Sequence, residues 1–191
     1  MTSSRSRQRY KSPAVLTTRP CRRLLFRRRT AWHPAPRYRL AVNDDEAMGV
    51  ALAEARLALD HGDVPVGAVA LVDGEPVARR HNEREKRRDA TAHAELLVLQ
   101  DASAAVGGWR LSAVSLVVTL EPCCMCAGAL VAARVSRLVF GATDPKAGAC
   151  GSLYNLCVDP RLNHELPVVA GVRAEEAAGL LAAFFAERRS R

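Results

Sequence analysis

At 191 residues the chain is long enough for one domain with a buried core, and 49% apolar against 25% charged residues places it in the ordinary globular range. Its sequence contains no apolar run near the ~18 residues that a membrane-spanning helix needs, so no membrane partner is expected. The formal net charge of +8 is uneven: the first 42 residues hold 12 of the 28 basic residues and none of the 20 acidic ones, leaving 16 basic against 20 acidic beyond them, which excludes a uniformly basic nucleic-acid-binding surface over the whole domain.

Residues 1–42 read as a basic, disordered extension. They are rich in Arg, Ser, Thr and Pro, carry the cluster Arg27-Arg28-Arg29, and have no apolar pattern able to offset the entropy of ordering. Three readings stay open: an RNA-binding arm, an Arg-rich and acid-free transit peptide for organellar import, or sequence upstream of a true start near Val42 or Met48. The domain proper is expected over 43–191. Asn43-Asp44-Asp45-Glu46 predicts a helix N-cap with an acidic first turn. Met48, Leu52, Ala55 and Leu59 follow at helical spacing, and Gly62 ends the helix. Val64 to Val72 predicts a strand, Asp73-Gly74 a two-residue hairpin turn, and residues 75–80 its partner strand. Residues 82–90 read as a polar loop. A second helix is expected from Thr91 to Ala105, then a break at Gly107-Gly108 and a buried strand over 114–120. A third helix is expected to start at Pro122, followed by strands over 136–141 and 166–172. The last helix carries Leu180, Leu181, Phe184 and Phe185. Helices alternating with short strands imply one sheet covered on both faces.

Two segments carry chemistry. Thr91-Ala92-His93-Ala94-Glu95 and Glu121-Pro122-Cys123-Cys124-Met125-Cys126 each open a helix, with 27 residues between Glu95 and Cys123. His93, Cys123 and Cys126 make one imidazole and two thiolates, three ligands that leave the fourth position of a catalytic zinc open to water. A helix N-terminus favours the thiolates that a metal needs, and zinc lowers the pKa of water to near neutrality. Glu95, two residues from the ligand His, is placed to move protons. The six cysteines cluster rather than spread, which favours metal binding in a reducing compartment, the cytoplasm, over disulfides. Cys124 reads as a small packed residue, and Cys150 and Cys157 as thiols outside any metal site.

His-x-Glu followed by Pro-Cys-x-x-Cys is the signature of zinc nucleobase deaminases, and tRNA adenosine deaminases are a standing example of it. Residues 44–190 resemble the bacterial tRNA adenosine deaminases nearly end to end. The resemblance is carried by D-V-P-V-G-A-V at 63–69, Asn82, T-A-H-A-E-L at 91–96, T-L-E-P-C-C-M-C-A-G-A at 119–129, F-G-A-T-D-P-K-A-G-A at 140–149, G-S-L at 151–153, L-N-H at 162–164 and F-F-A-E-R-R at 184–189. It implies a cytidine-deaminase-like three-layer α/β/α fold with a five-stranded mixed sheet, a homodimer, and one Zn(2+) per subunit. The implied activity is hydrolytic deamination of adenosine to inosine at the wobble position of a tRNA anticodon, with a tRNA anticodon stem-loop as partner. Glu95 is then the proton shuttle and Asn82 the contact to the flipped-out base. Asp144 accepts from a ribose 2′-hydroxyl, and Lys146, His164, Arg188 and Arg189 contact the anticodon loop. Two departures stand out: Thr143 where the family often has Arg, and Cys150 where it usually has a small apolar residue.

The nearest alternative is a zinc deaminase of a free base or nucleotide, of guanine or cytosine type, which shares the metal signature. The 140–153 stretch and the basic C-terminal helix suit a polynucleotide instead. A non-catalytic zinc RNA-binding module is disfavoured by Glu95, because a structural site fills its fourth ligand position.

Overall fold

Asn43 starts the first helix as expected. Its side chain accepts from Glu46 N at 2.9 Å, and the Glu46 carboxylate accepts from Asn43 N at 3.1 Å, closing a capping box. The computed structural model of the protein describes residues 43–190, so the reading of residues 1–42 lies outside the described residues. Helix α1 (Asp44–Leu57) runs on through a 3-10 turn, Ala58–His61, and stops at Gly62 with φ +74°. Strands β1 (Gly67–Val72) and β2 (Glu75–His81) pair antiparallel across Asp73-Gly74. Both turn residues have positive φ, 51° and 78°, as a tight right-twisted hairpin requires.

Several boundaries differ from the sequence reading, β1 starting at Gly67 instead of Val64 among them, and three differences have an identifiable cause. The polar loop contains a single helical turn, α2 (Arg84–Arg87). Its amides are met from outside: the buried Asp63 carboxylate accepts from Glu85 N at 2.8 Å and Lys86 N at 3.1 Å. Helix α3 (Ala94–Val106) begins three residues late, because Asp89 Oδ1 accepts from the Thr91 amide and hydroxyl and holds that residue in a turn. Helix α4 (Cys124–Ala133) takes Cys123 as its N-cap, which leaves Pro122 before the helix instead of in its first turn. Strand β3 (Val114–Leu120) stands as expected, β4 (Arg137–Ala142) starts one residue late, and β5 (Val168–Ala170) is short. The chain closes with α5 (Ala174–Arg189).

The five strands form one mixed sheet in the order β2-β1-β3-β4-β5. β1 is antiparallel to β2 and β3, whereas β3, β4 and β5 run parallel. Alternation along the strands splits the core into two layers. Ala68, Ala70, Leu116, Val118, Leu138 and Phe140 pack with α3 and α4. Val69, Leu71, Val117 and Val139 pack with α1 and Ala177 of α5. The expected three-layer α/β/α architecture is therefore observed. Gly67 is needed where α1 crosses β1, since a Cβ there would lie 2.0 Å from Ala51 O. Among the described residues no helix is long and apolar enough to cross a membrane.

Candidate active site

The site forms where two helices begin. His93 is the N-cap of α3, Cys123 the N-cap of α4, and Cys126 follows within the first turn of α4. Both helix ends direct partial positive charge at the thiols. His93 Nδ1 lies 3.8 Å from Cys123 Sγ and 3.5 Å from Cys126 Sγ. All three donor atoms fall within 4.8 Å of one another. Zinc bonds of ~2.3 Å to sulfur and ~2.0–2.1 Å to nitrogen, set at a tetrahedral angle, separate the donors by roughly 3.6 Å. The trio therefore fits one zinc-sized ion. The Cys123 thiol is pulled down to about 3, first by its hydrogen bond with Cys126 and then by His93, whereas Cys126 is pushed well up by that shared bond and by burial. His93 is raised, chiefly through its bond to Cys123.

Glu95 stands in the first turn of α3 and is 4% exposed. Burial raises its pKa, so this carboxyl takes up a proton more readily than an ordinary glutamate. It lies on the wall of a cavity of about 420 Å³ that also reaches His93, Cys123, Asn82, Asp144 and Lys146. That volume suits one small ligand and does not admit an anticodon loop as a whole. Asn82 is held by donating from Nδ2 to Val64 O at 3.2 Å, while its Oδ1 is buried without a partner. An unmet buried acceptor costs about 1–3 kcal/mol, and a donor on a bound ligand relieves it.

The expected RNA contacts divide. Asp144 and Lys146 line the cavity. Asp144 Oδ1 accepts from Lys146 N at 2.9 Å and Ala147 N at 3.2 Å, so this carboxylate also shapes its own turn. His164, Arg188 and Arg189 are not among the cavity residues. His164 Nε2 lies 2.9 Å from Val135 O. Arg188 stacks over Phe184 at 4.7 Å and donates to Gly62 O. Cys124, the first residue of α4, is exposed and not packed. Cys150 and Cys157 are core thiols with sulfurs 3.5 Å apart.

Two residues of the site were not singled out by the sequence. Arg84 of α2 lines the cavity, brought there by the tertiary cap from Asp63. Glu121, buried at 2% exposure, organises the loop that carries Asp144 and Lys146. Its Oε1 accepts from Cys150 N at 3.0 Å and Ser152 N at 2.9 Å, and its Oε2 accepts from Asp144 N at 2.9 Å and from the Ser152 hydroxyl. Gly148 makes room, since a Cβ there would lie 2.4 Å from Glu121 Cδ. The E-P-C-C context placed Glu121 beside the candidate metal donors, but only the folded loop shows its four hydrogen-bond donors. Burial raises the Glu121 pKa and the hydrogen bonds from Ser152, Asp144 and Cys150 more than offset it, leaving it below the ordinary value. A folded-state pKa below the unfolded one contributes stability that is present above the unfolded value and lost as pH falls through the folded one. Glu121→Gln, which sets an amide NH₂ against these donors, is expected to lower stability by about 1–3 kcal/mol at neutral pH. The gap between variant and wild type should shrink in urea unfolding below roughly pH 4.

Comparison with known proteins agrees with this geometry. The MafB19-like deaminase family matches residues 42–189. A tRNA-specific adenosine deaminase of Bacillus subtilis is 51% identical over 148 residues, 78% of this chain and 92% of the relative. One of Agrobacterium fabrum is 44% identical over 142 residues, 74% and 93% of the two chains. A solved structure from work on A-to-I editing by tRNA:A34 deaminases at the wobble position of transfer RNA superposes with TM-score 0.68 at 44% identity, over 71% of this chain and 98% of that one. A guanine deaminase of Nitrosomonas europaea reaches TM-score 0.69, but at 26% identity over 78% and 87% of the chains. Backbone shape thus does not separate the two chemistries, whereas sequence does. The sheet and the helix-capping His-Cys-Cys trio beside a buried glutamate define a nucleobase deaminase of the cytidine-deaminase-like class. Within that class the chain belongs to the family of tRNA-specific adenosine deaminases.

Proposed function

We propose that the chain hydrolyses adenosine to inosine at the wobble position of a tRNA anticodon, with His93, Cys123 and Cys126 holding one Zn(2+). The observation that carries the reading is a buried carboxyl, Glu95, on the wall of a one-base cavity beside the three metal donors. When bound there, zinc supplies Lewis-acid activation of water near neutral pH. Glu95 takes the proton of the water that attacks C6, passes it to the ring nitrogen, and later protonates the departing amine, so that adenosine and water give inosine and ammonia. Its burial suits both halves of that task, because a carboxyl with a raised pKa holds a proton between transfers. Asn82 Oδ1 accepts from an N–H of the base and fixes its plane. Only a single nucleotide fits the cavity, so the wobble base must leave its stack to enter.

Residues 43–191 carry 16 basic against 20 acidic side chains. The strand is therefore positioned by local contacts: Lys146 and Arg84 at the rim toward phosphate, Asp144 toward a ribose hydroxyl, and His164, Arg188 and Arg189 farther along the loop. The resemblance to the homodimeric deaminases supports pairing with a second copy of the chain, which sedimentation will test. The grouping of His93, Cys123 and Cys126, whose thiols bind metal only when reduced, supports a cytoplasmic setting. The test of substrate is direct: purified protein with a tRNA bearing adenosine at the wobble position should yield inosine. Faster turnover of free guanine or cytosine would assign the site to the free-base class. Asn82→Ala is expected to lower kcat/KM on the anticodon stem-loop by roughly 5–150-fold, the equivalent of one lost buried hydrogen bond of about 1–3 kcal/mol. An unchanged kcat/KM would remove Asn82 from the base contact.

A further inference from the structure

A second cluster of donors lies away from the cavity, where α1 ends against β2. His61 closes the 3-10 turn, His81 is the last residue of β2, and Glu83 precedes α2. His61 Nδ1 is 2.8 Å from Asp63 Oδ2, and His81 Nδ1 is 3.1 Å from Glu54 Oε2. A carboxylate beside each Nδ1 leaves Nε2 as the ring nitrogen open to a ligand. The two rings lie 5.3 Å apart with a 32° tilt. His61 Nε2 is buried without any partner. His81 Nε2 is 3.7 Å from Glu83 Oε1, beyond hydrogen-bonding distance. One donor atom from each of His61, His81 and Glu83 fits within a 4.8 Å group. An imidazole nitrogen from each ring and a carboxylate oxygen sharing one small space form a donor set that a cation would join.

From this geometry we propose that His61, His81 and Glu83 hold a divalent transition metal, independently of the deaminase centre. Two imidazoles and one carboxylate suit zinc, cobalt or nickel better than calcium or magnesium. A carboxylate behind each ring, Asp63 and Glu54, is the support that metal-bound histidines ordinarily have. The charges facing the cluster balance: Arg79 pairs with Glu54 at 3.2 Å, and Lys86 and Arg87 pair with Glu83. Coordination through Glu83 Oε1 competes with the Lys86 ammonium at 2.7 Å. Lys86 is half exposed and regains water on release, while Arg87 keeps Oε2. The competition makes this the weaker of the two sites. Its place in the fold gives it a purpose, because His81 and Glu83 flank Asn82, and a metal there ties the end of α1 to the segment that carries Asn82 and Arg84 into the cavity.

Metal content and cobalt spectroscopy on the full chain test the proposal. Titration with Zn(2+) should reach about two ions per chain. The second equivalent of Co(2+) should add d–d absorption without the thiolate-to-cobalt charge transfer of the first. His61→Ala and His81→Gln should each bring uptake back to about one ion per chain and keep the charge-transfer band. Should either variant fail to fold, nitrogen NMR of the wild-type protein gives the same answer: the second equivalent of Zn(2+) must shift Nε2 of both histidines. Saturation at one ion, a second uptake that survives both substitutions, thiolate charge transfer from the second ion, or imidazoles that respond only to pH would overturn it.

Discussion

Glu95→Gln is expected to leave a folded, metal-loaded protein that makes inosine at least about 10²–10⁴-fold more slowly than wild type. The glutamine keeps the volume of the side chain and removes only its ability to take and return a proton. Glu95 is buried, and its burial penalises the charged form, so the neutral replacement does not weaken packing and is expected to hold or raise thermal stability. The loss should fall on kcat, with KM for the anticodon stem-loop nearly unchanged, because the carboxyl acts on protons in flight and not on substrate docking. Single-turnover assays with metal analysis on the same sample check this. A rate within about threefold of wild type in a protein with full metal content would show that another group moves the protons.

Cys123→Ala should lose both metal and activity, with metal content falling from about one ion per chain at the deaminase site toward zero. His93→Ala and Cys126→Ala should behave alike, since three protein donors leave no redundancy. Cys124→Ala is the control. Cys124 lies between two of the donors in sequence, yet it is exposed and outside the trio, so its removal should change neither metal content nor rate. Chelation should inactivate the wild-type enzyme, and added Zn(2+) should restore it. Metal retained in Cys123→Ala and lost in Cys124→Ala would reverse the assignment.

Much of this molecule is legible in its residues because the controlling interactions are local. Asn43 and Glu46 cap α1 within one turn, Asp73-Gly74 sets the hairpin, and apolar runs mark β1, β3 and β4 as buried strands. The donors His93, Cys123 and Cys126 are legible for a different reason. Metal chemistry restricts residue type and spacing so strongly that the pattern survives without coordinates.

What the chain alone determined, then, was the five strands, the four longer helices and the pattern that groups His93, Cys123 and Cys126, since each depends on near neighbours or on a chemistry with few solutions. The tertiary structure decided the rest, because it depends on groups far apart in sequence. Asp63 reaches 22 residues ahead to cap α2 and bring Arg84 to the cavity, a partnership that no local propensity encodes. Glu121 gathers amides 23 to 31 residues away and turns a Gly-containing loop into a wall of the site. The orphaned Asn82 oxygen and the unpartnered Nε2 of His61 likewise appear only once strands and helices pack, because a missing hydrogen-bond partner is a property of the surroundings and not of the residue.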